Sequence, residues 1–269
     1  MPDDGTGNVK QRWEMAEQRV HVDVDDAIAY VRLNRPDKLN ALDMPMFRQI
    51  SQTIERLRAM DSLRCVVLSG EGPAFCAGID LALLKGKDDV KTVLRERNAD
   101  QANLFQAVAW GWRMLPVPVI AAVHGAAIGA GCQIMLGADV RIATPDAKIS
   151  LRETYWGLVP DMAAFPLLKG LVREDVVREL VYTARVVPGS EAGTLGLVTH
   201  IADSPLEQAK ELAQTIAAQS GEAVRAAKRL LNAMAQANSA DLLHAESEEQ
   251  AALLDSVGHV QAVAGKAIR

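Results

Sequence analysis

The sequence predicts an α/β fold in which short apolar strands alternate with helices up to about residue 203, with helices alone after that. Two observations carry this. A strand–strand–helix order recurs along the chain without any visible repeat of sequence. Strand signals then stop at Ser204, and the stretches 205–219, 221–236 and 239–256 read as three helices. Met1-Pro2-Asp3-Asp4-Gly5-Thr6-Gly7 is polar and small, with no apolar stretch behind it of the kind a signal peptide needs. The expected divisions are therefore a disordered lead-in (1–14), an α/β core (15–203) and a helical C-terminal region (204–269).

Val20, Val22 and Val24 alternate with polar residues, Asp25-Asp26 offers a turn, and Ile28, Tyr30 and Arg32 alternate with Ala29, Val31 and Leu33. That pattern predicts a hairpin. A helix is expected from Asp43, a good N-cap with Pro45 tolerated in the first turn, because Phe47, Ile50, Ile54 and Leu57 then share one face. Cys65–Ser69 reads as a short buried strand, and the charged stretch Lys85–Arg97 as a loop with solvated lysines running into a helix. Trp110 and Trp112 belong to an apolar helix as core or subunit-contact residues. Val117–Val123 is a strand, Gly129–Gly137 a helix, Asp139–Ala143 a further strand, and Lys148–Leu151 pairs beyond it. Ser204-Pro205-Leu206-Glu207 has the form of a capping box with proline at the first helical position.

Bulk properties exclude several classes. The 269 residues are 49% hydrophobic, ample for a packed core, and the net charge of −5 gives no diffuse positive field for nucleic acid. No apolar run reaches the ~18–20 residues of a membrane span. Three cysteines, Cys65, Cys76 and Cys132, are odd in number and far apart, which suits reduced thiols and a cytoplasmic location. No Cys/His spacing fits a metal site and no glycine-rich nucleotide loop is present, so no cofactor is expected. His124 reads as a turn residue.

Two segments carry the chemistry. Ala74-Phe75-Cys76-Ala77-Gly78-Ile79-Asp80-Leu81 and Val119–Gly131 are both apolar runs that break into small residues just before a helix. Small residues let ligand atoms approach the backbone, and the first N–H groups of a helix lack partners within it. Two such turns brought together present two backbone donors to one oxygen, an oxyanion hole.

This pair of segments resembles the signature segments of the crotonase family, also called the enoyl-CoA hydratase/isomerase family. The match extends over roughly residues 20–235: Asn34-Arg35-Pro36-Asp37-Lys38-Leu39-Asn40-Ala41-Leu42 resembles the first CoA-binding loop, Gly137–Ala143 and Glu191–Val198 two scaffold motifs, and Ala226-Ala227-Lys228 a lysine-bearing C-terminal helix. The resemblance implies a crotonase-type spiral of ββα units followed by a helical trimerisation region, and hence a homotrimer or a hexamer built as a dimer of trimers. It also implies an acyl-CoA thioester as substrate. Adenosine would lie near Lys38, Leu39, Ala41 and Ala77, and the thioester oxygen between the N–H groups of Ile79 and Ala130. Gly78 and Asp80 flank the first donor, Asp80 capping the helix that follows rather than reacting.

Hydratases of the family use two glutamates. The second aligns with Glu153; the first aligns with Gln133, which can hydrogen-bond a water or an acyl group but cannot exchange a proton. Asp161 stands where family members that isomerise dienoyl-CoA carry an aspartate, and it has a competing reading as the N-cap of a helix beginning at Met162. A single acid suffices to move a double bond, so isomerisation with Glu153 as acid/base is the leading expectation. Hydration with Gln133 positioning the water is the alternative, and a CoA-binding protein without activity is a third reading.

Overall fold

The alternation along Val20–Leu33 folds as read, and it starts a seven-stranded sheet. In the computed structural model, which describes residues 11–12, 18–83, 87–234, 237–256, 258–260 and 263, β1 (Gln11–Arg12), β2 (Val20–Asp25) and β3 (Ile28–Leu33) form an antiparallel meander. β4 (Cys65–Gly70) and β5 (Val119–Val123) continue the sheet in parallel. A second ladder lies beneath, made of β6 (Ala126–Ile128), β8 (Lys148–Ser150) and β9 (Val187–Pro188). β7 (Val140–Ala143) and β10 (His200–Ile201) close the main sheet in the order β1-β2-β3-β4-β5-β7-β10. Of the lead-in expected over 1–14, only Gln11–Arg12 lies within the described residues, and it is a strand.

The second ladder is what makes the chain a spiral. Isolated parallel bridges join Leu42 to Ile79 and Cys76 to Ala127, and β6 then pairs in parallel with β8. Each turn of chain thus lays one strand in the main sheet, one short piece in the second ladder and one or more helices outside. β6 falls inside what the sequence reads as a turn, because three residues with two alanines carry no alternation to detect. Lys148–Ser150 pairs in this second ladder and not at the edge of the main sheet.

The helices are α1 (Met44–Arg58), α2 (Lys87–Arg95), α3 (Leu104–Met114), α4 (Ala130–Gly137), α5 (Ala164–Leu168), α6 (Glu174–Thr183), α7 (Gly189–Leu195), α8 (Pro205–Ala217), α9 (Gly221–Ala233) and α10 (Ser239–Leu254). Asp43 caps α1 as expected, its carboxylate accepting from the Met46 N–H at 2.9 Å. Phe47 of α1 meets Phe105 of α3 edge to face at 4.9 Å between ring centroids. The sheet has two apolar faces, as strands of a covered parallel sheet must: Val66, Leu68, Val119 and Ala121 point into the main core with α1, α3 and α4, whereas Cys65, Val67, Ile120 and Ala122 point the other way, against Ala209 and Ala213 of α8. Every residue of α4 is buried, and a helix apolar all round belongs in the interior.

Two sequence expectations change. Ser204 precedes α8 with proline at its start, but its side chain makes no capping bond, so the capping box is one of sequence only. Within the Lys85–Arg97 stretch, expected as a loop running into a helix, Lys87–Arg95 is already helix α2, and residues 84–86 lie outside the described ones. Trp112 is fully buried in the core. Trp110 instead lines a cleft of about 1200 Å³ between α3, Lys169–Leu171 and α9, which holds neither Glu153 nor either small-residue turn. All three cysteines are free, and burial pushes the Cys65 and Cys76 thiols up to about 12. No helix among the described residues is long and apolar enough to cross a membrane.

Candidate active site

The spiral brings the two small-residue turns into contact. The Cys76 N–H donates to Ala126 C=O at 2.8 Å, and the Ile128 N–H to Cys76 C=O at 3.0 Å. Gly78, at φ +101°, sits where a side chain would collide: a Cβ there would lie 2.7 Å from the Ile128 oxygen and 3.9 Å from the Ala130 nitrogen. Ile79 is held by its neighbours, since the Leu42 N–H donates to Gly78 C=O and the Asp80 N–H to Leu42 C=O. Among the described residues the N–H groups of Ile79 and Ala130 have no backbone acceptor. Ala130 is the first residue of α4, where an unpaired N–H follows from helix geometry.

The loop 34–42 joins the same corner. Ala77 donates its N–H to Leu39 C=O at 2.9 Å, which places Lys38, Leu39 and Ala41 beside the first turn. Lys38 and Leu39 are exposed, with Leu39 in the left-handed region at φ 51°, while Asn40 is fully buried and ties its side chain to the Glu71 and Ala74 carbonyls. Arg35 clamps the loop by donating to Ala41 C=O at 3.0 Å and to the Asp80 carboxylate at 2.8 Å. The other oxygen of Asp80 accepts from the Ala82 N–H in a tight turn, and the stretch that a helix capped by Asp80 would occupy runs into residues 84–86, outside the described ones. These two sets of bonds hold its carboxyl below the usual aspartate range, the Ala82 N–H contributing most. Arg35 was missed in the sequence reading, although it lies within the quoted motif. His124 is a turn residue as read, its Nε2 bonding the Gly72 carbonyl at 2.8 Å.

The acid corner is built on the first turn of α4 and on the 3-10 turn Glu153–Trp156 that follows β8. Gly129, at φ +53°, begins α4 in a conformation that favours glycine, and a Cβ there would stand 3.2 Å from Glu153 Oε1. The carboxylate therefore abuts the residue immediately before Ala130. Gln133, three residues further on and on the same helix face, is fully buried and donates from Nε2 to Glu153 Oε1 at 2.6 Å. Its Oε1 accepts from the N–H groups of Met162 at 2.8 Å and Ala164 at 3.2 Å. Glu153 is 8% exposed, and its Oε2 is buried with no partner among the described residues. A buried polar atom left unpartnered calls for an explanation, of which a catalytic role is one.

Asp161 is half-buried beside this pair, and its N-cap reading fails. Helix α5 begins at Ala164, its N-cap position is Ala163 at φ 69°, and no side chain there makes a capping bond. Gln133 supplies that function from another element. Burial raises the Glu153 carboxyl, and the Asp161 charge adds to the rise against the opposing bonds from its own backbone and from Gln133. Burial likewise raises Asp161. Two carboxyls with raised pKa values, next to two unpaired N–H groups, suit proton transfer beside a developing negative oxygen.

A sequence profile described as enoyl-CoA hydratase/isomerase matches residues 23–263. The chain belongs to the enoyl-CoA hydratase/isomerase family. It is thus an enzyme of the hydratase or isomerase type. The enoyl-CoA hydratase/isomerase-like protein YngF of Bacillus subtilis is 36% identical over 212 residues, covering 77% of this chain and 79% of that one. The peroxisomal Delta(3,5)-Delta(2,4)-dienoyl-CoA isomerase of Arabidopsis thaliana is 31% identical over 194 residues, 70% of each chain. The crystal structure of an enoyl-CoA hydratase from Bacillus anthracis superposes with a TM-score of 0.86 at 27% identity, over 94% of this chain and 97% of that one. The mixed α/β spiral is therefore the crotonase fold of this family.

Proposed function

We propose that the protein shifts a double bond of an enoyl-CoA thioester, with Glu153 as the proton-transferring acid/base. The observation that carries this is Gln133. At the place of the hydratases' first glutamate stands an amide whose oxygen already accepts two backbone N–H groups and whose nitrogen donates to Glu153. No second glutamate is present there to exchange a proton with water.

The thioester oxygen would lie between the N–H groups of Ile79 and Ala130, with adenosine against Lys38, Leu39, Ala41 and Ala77. Glu153 takes a proton from one carbon, and the electron pair delocalises onto the thioester oxygen as an enolate that the two donors stabilise. Return of the proton at the other end of the conjugated system completes the shift, with no other reactant consumed. Desolvation of Glu153 matches this task, since a raised pKa favours a group that both accepts and gives back a proton. The name of the Arabidopsis relative agrees with such a reaction. No cofactor is required beyond the CoA of the substrate, and the location proposed is cytoplasmic.

Asp161 favours a second reading. As a half-buried carboxyl next to Glu153 it could stand in for the missing glutamate, which would permit hydration of a 2-enoyl-CoA. A panel of enoyl-CoA and dienoyl-CoA thioesters incubated in deuterated water, followed by mass spectrometry, separates the two. Isomerisation gives a product of unchanged or deuterium-exchanged mass that separates from its substrate by liquid chromatography, whereas hydration adds the mass of one water. Absence of both on every substrate would overturn the proposal.

We also propose a homotrimer or a dimer of trimers. Tyr155 at 63%, Trp156 at 54%, Val159 at 64% and Tyr182 at 70% exposure form apolar surface that a monomer would leave in water. No residue of α10 is buried. A monomeric mass by light scattering at micromolar concentration would contradict this.

A further inference from the structure

We infer that Gln133 is a positioning residue that selects which oxygen of Glu153 exchanges the proton and holds the turn carrying Asp161 in place. The geometry is reciprocal. Nε2 pins Glu153 Oε1 at 2.6 Å, and only Oε2, buried and without a partner among the described residues, is left to accept a proton. Oε1 of the same amide gathers the Met162 and Ala164 N–H groups, which stand either side of Ala163 in its left-handed conformation. The turn 161–164 therefore hangs on one side chain of α4, and the distance between Asp161 and Glu153 depends on it.

A glutamate at 133 would not simply restore the acid of a hydratase. Its carboxylate could still accept from Met162 and Ala164, but its other oxygen would face Glu153 Oε1 at hydrogen-bonding distance with no proton between them. Two carboxylates so placed must share one proton. Neutral glutamine avoids this and leaves Glu153 free to ionise without a second charge against its Oε1.

The groups facing Glu153 are few. From α4 come Gln133 and the buried Cys132 thiol, whose pKa burial and Glu153 itself both raise. The 161–164 turn supplies Asp161. Helix α6 packs through the Thr154 hydroxyl donating to Val181 C=O, and its charged residues Glu174, Asp175, Arg178 and Glu179 are exposed. No cation among these offsets a second carboxylate.

This inference rests on the acid/base role proposed for Glu153, and its test includes readouts that need no substrate. In Gln133→Leu, amide hydrogen exchange at Met162 and Ala164 should accelerate, because both N–H groups lose their acceptor. The pH at which Glu153 titrates, followed by carbon-13 labelling and NMR, should rise as its donor is lost. With the best substrate, kcat should fall about tenfold or more while KM changes little, the scale expected for a hydrogen bond to a charged group. Gln133→Glu should keep the exchange protection and raise the Glu153 titration further, moving the acid limb of the rate profile to higher pH. If Gln133→Leu does not fold, Gln133→Glu decides alone. Unchanged Glu153 titration in Gln133→Glu would overturn the inference. Loss of isomerase activity in the unsubstituted protein would overturn the acid/base reading instead, and the exchange and titration results would still stand.

Discussion

The two ends of helix α4 handle buried charge in opposite ways. At its C-terminal end Asp139 accepts from the Val119 N–H at 2.8 Å, pairs with the buried Lys228 ammonium of α9, and has Arg113 at 3.6 Å. Arg141 donates to the Ala138 and Leu197 carbonyls at 2.6 and 2.8 Å, and burial with Arg113 nearby brings its guanidinium down to about 10. Each ion there has an opposite partner or a set of carbonyls. At the N-terminal end Glu153 is buried and Asp161 half-buried with no cation between them, and Glu153 Oε2 is unpartnered among the described residues. The first arrangement fixes α9 and β7 to the core. The second leaves a carboxyl poised to change its protonation state, which is the condition for proton transfer.

Removing the reactive end should affect rate far more than fold. Glu153→Gln keeps the shape and should lower kcat by ~10²–10⁴, the usual range for general acid–base catalysis, measured on the best substrate of the panel. Asp161→Asn should approach the same loss if Asp161 assists the chemistry, with little change in thermal midpoint because its side chain caps no helix. Ala130→Pro removes one N–H at a helix position that tolerates proline, and should reduce turnover by ~10²–10³ while the fold survives in circular dichroism.

The compensated end should behave in reverse. Lys228→Met strips Asp139 of its ammonium in a site where Lys228 is 4% exposed, and a broken buried pair should cost ~3 kcal/mol in urea unfolding. Activity per folded molecule should be unaltered. The smallest effect concerns pH. Because the folded-state pKa values of Glu153 and Asp161 lie above the ordinary ones, the folded protein holds more protons than the unfolded one between those values. Stability then declines as pH rises through that window and stays lower above it. Glu153→Gln should raise the thermal midpoint at neutral pH and flatten this slope.

Much of the molecule was legible in the residues, for reasons that differ by region. Hairpin β2–β3, α1 with its Asp43 cap, and β5 carry strong period or capping signals, and they appear within two residues of where those signals place them. The second ladder did not show, since it consists of a three-residue alanine-rich strand and single bridges whose pairing is set by the spiral and not by local pattern. In the candidate site, motifs point to both turns and to Glu153, and the fold brings these segments together. What no motif contained was the direction of the Gln133 amide, which a helix N-terminus, a 3-10 turn and the 161–164 loop determine together. For the same reason Asp161 reads as a cap in sequence and is not one in space.

The N-terminal end of α4 holds a carboxyl that ionises late because it is dry and lacks a cation. Carbon-13 labelling of glutamate side chains, followed by an NMR pH titration of the unsubstituted protein and of Glu153→Gln, tests it without any substrate. One glutamate resonance should titrate above the ordinary value of 4.5 and be missing from Glu153→Gln. If the resonance lost in that variant titrates at or below the ordinary value, Glu153 is compensated like Asp139, and the account of this site is wrong.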